Sequence, residues 1–93
     1  MFATKISMKD KHPVSNEPQS IDRVYIVGNV YFPTGWYKTD FLHDYLKANP
    51  DSIQVNLSPY PNLMPAMTDK NTKYVVSAPD KVNPDTLLSL PKE

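Results

Sequence analysis

The sequence predicts an α+β domain: a small antiparallel sheet of about four strands in the order β-β-α-β-β, one packed helix and a C-terminal helical turn. Three observations carry this. Ten prolines stand against two glycines, and proline neither donates to a ladder nor continues a helix interior, so its positions mark where regular elements stop. Between the prolines, several windows alternate apolar and polar residues with the period of a strand. One window changes period and repeats as a helix.

The first window, Phe2-Ala3-Thr4-Lys5-Ile6-Ser7-Met8, places Phe2, Thr4, Ile6 and Met8 on one side and Ala3, Lys5 and Ser7 on the other, as in a half-buried strand. Residues 9 to 20, with two prolines and several charges, read as a loop. Ile21-Asp22-Arg23-Val24-Tyr25-Ile26-Val27 is β-branched and aromatic and forms the second strand, with Gly28-Asn29 as a bulge or bend before Val30-Tyr31-Phe32. From Thr39 to Ala48, Phe41, Leu42, Tyr45 and Leu46 share one helical face, while Asp40, His43, Asp44 and Lys47 take the other. Thr39 is expected to cap this helix, and Asn49-Pro50 ends it.

Ile53-Gln54-Val55-Asn56-Leu57 alternates again, and Lys73-Tyr74-Val75-Val76 does so more weakly, giving two further strands. The stretch from Ser58 to Met67 reads as a proline-stiffened loop carrying apolar residues. After Ala78-Pro79-Asp80 the chain turns, and Asn83-Pro84-Asp85 opens a helical turn in which Leu87, Leu88 and Leu90 plug the core before Pro91. Residues 1 to 93 are expected to form a single domain, the tail from 79 to 93 packing on the sheet, because a chain this short buries only about two-thirds of its unfolded surface.

Charge narrows the partners. Ten Lys plus Arg balance ten Asp plus Glu, and each half of the chain is balanced by itself, so no basic arm is present to attract nucleic acid or an anionic membrane at long range. The absence of cysteine removes disulfides, thiolate nucleophiles and Cys-ligated zinc, and fits a reducing cytoplasm. The N-terminal residues lack the apolar run of a signal peptide, and no stretch approaches the roughly 20 apolar residues of a membrane span. The expected location is the cytoplasm, with no membrane association.

The tail Tyr74-Val75-Val76-Ser77-Ala78-Pro79-Asp80 followed by Asp85-Thr86-Leu87-Leu88-Ser89-Leu90-Pro91 resembles the ending of a small bacterial and phage domain-of-unknown-function family, family thirty-eight ninety-two. Members run Tyr, Leu or Val, then Arg, a Pro-Asp turn, and Asp-Asn-Leu-Leu-x-Leu-Pro. The match is sharp over residues 74 to 91, and Val76 and Thr86 stand where the family usually has Arg and Asn. The resemblance implies the same order of elements and a bacterial or phage origin. It also implies an anti-defence role as an antagonist of a host system, acting in the host cytoplasm.

No catalytic set is legible, so the chain is not expected to be an enzyme, and no cofactor or metal is expected. His12 follows a charged loop, His43 falls on the polar helix face, and neither has the His-x-x-x-His or Glu-x-x-His spacing of a metal site. The serines lack a Gly-x-Ser-x-Gly context, and Asp80 and Asp85 are explained by turn and cap roles. Aromatics are the surplus: Tyr25, Tyr31, Phe32, Trp36, Tyr37, Tyr60 and Tyr74. Tyr and Trp on proline-stiffened loops give large contact area at low entropy cost. The expected binding patch is therefore Trp36 and Tyr37, after Pro33-Thr34-Gly35, together with Tyr60, Asn62, Leu63, Met64 and Met67, with Arg23, Lys38 and Lys73 as the nearby cations.

Two functions follow. The first is a small non-catalytic binding module, homo-oligomeric, that sequesters a nucleotide-derived small molecule or occupies a host protein. The alternative is a single-stranded nucleic-acid-binding protein that stacks bases on the strand-two aromatics, with Arg23, Lys38 and Lys73 on phosphates.

Overall fold

A computed structural model describes residues 1–9, 18–58, 60–78 and 86–93. In it β1 (Phe2–Met8) pairs antiparallel with β2 (Ile21–Val27), and β2 pairs antiparallel with β3 (Gly35–Lys38). The helix α1 (Thr39–Ala48) then carries the chain over to β4 (Gln54–Val55), which lies parallel to β1 and closes a four-stranded sheet in the order β3-β2-β1-β4. A helical crossover returns the chain in the same direction, whereas a hairpin reverses it, so this sheet is mixed instead of wholly antiparallel. The fold is thus the expected α+β arrangement with one packed helix and a C-terminal 3-10 turn, Thr86–Ser89.

Two segments exchange roles relative to the sequence reading. Val30-Tyr31-Phe32 does not extend β2. Asn29 Oδ1 accepts hydrogen bonds from the backbone N–H of Tyr31 (2.9 Å) and Phe32 (3.1 Å), making a side-chain-closed turn that leaves Val30 and Tyr31 93% and 94% exposed. A Cβ on Gly28 would lie 1.7 Å from the Phe32 carbonyl oxygen, so only glycine admits the close crossing here. The strand instead resumes at Gly35. The proline-rich stretch likewise becomes β5 (Leu63–Met67), which pairs with β6 (Lys73–Ser77) in a separate two-stranded sheet. Pro65 is tolerated within it because β5 has a partner on one side only.

The face of β1 is set by an irregularity. Its register passes from Ala3 opposite Ile26 to Lys5 opposite Tyr25, leaving Thr4 as the extra residue. One extra residue reverses which side chains face the core. Ala3 and Ile6 are therefore buried, while Phe2, expected inside, is 41% exposed. A second shift, with Asp22 as the extra residue, brings both Ile21 and Val24 into the core.

The helix packs against β5 and β6 and also against β2 and β3, so more than one of its faces is covered. Leu42 and Leu46 are buried as their spacing requires, but so is His43, expected in solvent, because β6 crosses that side and its Tyr74 carbonyl lies 3.1 Å from His43 Nδ1. Phe41, expected in the core, is half exposed. Thr39 does not cap: it is the first helical residue, and its buried hydroxyl donates to the Ile21 carbonyl instead (3.4 Å). Leu87 and Leu90 are buried and Leu88 packs against the same core. The chain then runs beside β1, with Ile6 N–H donating to Pro91 O and Glu93 N–H donating to Ile6 O, both at 2.9 Å.

Candidate nucleic-acid interface

The four-stranded sheet buries one face against the core and turns the other outward. Along β2 the outward residues are Arg23, Tyr25 and Val27, since Val24 and Ile26 are fully buried and side chains alternate. Register then dictates what stands beside them: Trp36 lies opposite Tyr25, Lys38 opposite Arg23, Lys5 opposite Tyr25 on the other flank, and Ser7 opposite Arg23. Paired residues share a face. The outer face is therefore a row Lys5-Tyr25-Trp36 beside a row Ser7-Arg23-Lys38.

Within the first row, the Tyr25 and Trp36 rings meet edge to face with centroids 5.3 Å apart and planes at 76°. Lys5 Nζ sits 4.7 Å from the Tyr25 ring centroid, a cation over a π face. Trp36 is the only tryptophan of the chain and remains 37% exposed. Lys5 is also 3.6 Å from Glu93 Oε2, and Arg23 Nε is 3.6 Å from Asp22 Oδ2. Both ion pairs are solvent-exposed, so screening keeps each weak and open to exchange for another anion. A concavity of ≈ 310 Å³ on this face is lined by Ser7, Arg23, Trp36 and Glu93.

The residues expected to form one patch are dispersed. Tyr37, next to Trp36 in β3, points to the opposite face, where it packs on Phe32 (centroids 4.6 Å apart) and stacks on Phe41 (5.5 Å), with its hydroxyl donating to the Pro33 carbonyl. Together with Tyr45, 4.8 Å from Phe32, these rings extend the core at the β3 edge. Tyr60 and Asn62 lie beside β4, at the other edge of the sheet from Trp36. Asn62 is part of a local brace: its Oδ1 accepts from Gln54 Nε2 (2.9 Å) and its Nδ2 donates to Asp51 Oδ1 (3.0 Å). Tyr60 is 55% exposed and adopts φ 58, a left-handed conformation that bulky residues rarely take. Leu63 is buried, whereas Met64 and Met67 on β5 stay exposed. Of the expected residues, Trp36, Arg23 and Lys38 are brought together.

Lys73 belongs elsewhere. Its ammonium donates to Asp44 Oδ1 at 2.8 Å, in a wider groove of ≈ 600 Å³ that Lys9, Asp22, Asp40, Asn71 and the edge residue Lys38 also line. That hydrogen bond from Lys73, with its charge, holds the Asp44 carboxyl below the ordinary 3.8. The groove mixes lysines with aspartates and offers no preference for one sign of ligand. Among the described residues no group of three His, Asp or Glu side chains is placed to hold a metal ion, and no helix is long and apolar enough to cross a membrane. His12, Asp80 and Asp85 lie outside the described residues.

Sequence reasoning missed Lys5 and Glu93. Lys5 falls on the side of β1 opposite Ile6 in the sequence, but its place beside Tyr25 is chosen by strand register, and Glu93 reaches the face through a pairing to β1 distant in sequence. Comparison with protein-family models, with curated proteins and with solved structures finds no match to this chain.

Proposed function

We propose that the outer face of the four-stranded sheet binds single-stranded nucleic acid by base stacking. The observation that carries this reading is the pairing of Tyr25 with Trp36 on a solvent-facing sheet, flanked by Lys5, Arg23 and Lys38. Every base has a π face, so stacking on aromatic side chains is tolerant of sequence and contributes roughly 1–3 kcal/mol per base. Cations beside the rings offer phosphate contacts. A net charge of zero then sets the strength. With at most three phosphates neutralised, the slope of log K against log salt is about −2, shallow for a nucleic-acid binder.

Sequestration of a free nucleotide-derived molecule draws on the same stacking chemistry, and the experiment separates the two. Trp36 fluorescence, with no other tryptophan to dilute it, is titrated with short single-stranded oligonucleotides and with mononucleotides at several salt concentrations. Quenching that is tighter for the longer strands and shows the shallow salt slope supports strand binding. Quenching by mononucleotides alone, equal to or tighter than by strands, overturns it in favour of a small-molecule sponge. Homo-oligomerisation in a cytoplasm belongs to the same proposal, supported by the exposed Met64 and Met67 on β5 and by the absence of cysteine.

A further inference from the structure

The concavity beside Trp36 contains a feature that general stacking does not need. Alongside Ser7 and Arg23 it is lined by Glu93, a carboxylate that would repel the phosphates of any strand laid across this face. Its position is built and not incidental: the Glu93 backbone N–H donates to Ile6 O at 2.9 Å, the neighbouring Lys92 bridges to Ile6, and Lys5 Nζ lies 3.6 Å from Oε2.

We infer that Glu93 and Arg23 read the edge of the base stacked at Trp36, and that the base they fit is guanine. The inference rests on the stacking reading above. An ionised carboxylate only accepts hydrogen bonds, and it accepts two side by side. Guanine presents adjacent N1–H and N2–H donors to such a group, with the O6 and N7 acceptors next in line for a guanidinium, the pairing Arg commonly makes with guanine. Adenine and cytosine each offer a single exocyclic amine beside a ring-nitrogen acceptor. Uracil and thymine offer one N–H between two carbonyls, which face a carboxylate with like charge. A donor edge toward Glu93 and an acceptor edge toward Arg23 is met in full by guanine alone. Ser7, whose hydroxyl donates or accepts, imposes no choice by itself. At ≈ 310 Å³ the concavity is at the small end of ligand sites, the scale of one base instead of several.

The test titrates Trp36 fluorescence of the full chain with GMP, AMP, CMP and UMP, and with thymine-rich pentamers carrying one guanine or none. Guanine ligands are expected to bind about tenfold or more tightly than the others, the scale of a bidentate contact. Glu93→Gln should bring all four nucleotides to within about threefold of one another while leaving the melting temperature unchanged. Equal affinities in the wild-type protein overturn the inference. So does a Glu93→Gln protein that binds all four more tightly by the same factor, since the carboxylate would then act only as a repulsive charge. Strands that bind without base preference leave the stacking reading standing and remove guanine selection. Guanosine monophosphate bound selectively, with no gain for strands, keeps guanine selection and removes strand binding. No quenching by any ligand overturns both.

Discussion

The ring of Tyr25 meets the ring of Trp36 edge to face across the β2–β3 ladder, with centroids 5.3 Å apart and planes at 76°. Such a pair, on a face the core does not need, is expected to bind ligand without carrying the fold. Trp36→Ala should weaken binding of a labelled single-stranded oligonucleotide by about 2 kcal/mol, and Tyr25→Ala by a similar amount. Fluorescence anisotropy reads the affinity and circular dichroism the fold. Variants that unfold would place the two rings in the core instead.

Tyr60 provides the control at the opposite edge of the sheet. It holds φ 58 immediately before Pro61, a conformation that asparagine adopts far more readily than tyrosine. Tyr60→Asn should stabilise the protein by about 0.5–1 kcal/mol in urea unfolding, with oligonucleotide affinity unchanged. A loss of affinity in this variant would show that the binding surface extends to the β4 side.

The C-terminal 3-10 turn is tied to the core through Leu87, which is fully buried between β1 and β6. Leu87→Ala should cost roughly 2–5 kcal/mol, a large part of the stability of so small a domain. Because Glu93 follows in the same segment, weakening this anchor should also loosen guanine preference before the protein melts. Calorimetry and the nucleotide titration at one temperature check the two effects together.

Asp44 links pH to the packing of β6 on the helix. Its carboxyl is held below 3.8, chiefly by the hydrogen bond from Lys73, so the folded state binds this proton less readily than the unfolded chain. The stabilisation is therefore present above the ordinary carboxylate range and is lost as the pH falls through the lowered value. Lys73→Met should be less stable than wild type near neutral pH, and the two should converge once the pH has fallen through the lowered value. Both groups are exposed, so the difference is small and shrinks with added salt. A gap between the two melting temperatures that stays constant from pH 7 to pH 2 would contradict the pairing.

How much of this was legible depends on the range of the interaction that decides each feature. The helix from 39 to 48 and the strands around 2–8, 21–27 and 73–77 are read from periodicity because local spacing fixes the type of element, about 3.6 for a helix and about 2 for a strand. Leu87 and Leu90 as a plug follow from apolar residues placed just after Pro84. The side-chain-closed turn at Asn29 and the β3 strand at Gly35–Lys38 had a signal too, since Gly28-Asn29 is turn chemistry, but the alternating residues beyond it fit either a strand or a turn.

The candidate site itself was decided by tertiary structure. By itself the sequence determined that Tyr25 and Arg23 lie on a strand and that Trp36 and Lys38 follow the turn Pro33-Thr34-Gly35. Which face they share was settled by register, and the extra residue at Thr4 put Phe2 on the same outward face as Lys5. His43 became buried because β6, thirty-one residues away, crosses the helix face that its own neighbours mark as polar. Glu93 reached Lys5 only through a backbone pairing with Ile6 across the length of the chain. A side chain's period is local, whereas its neighbours across a ladder are chosen by contacts distant in sequence, and a binding face is made of those neighbours.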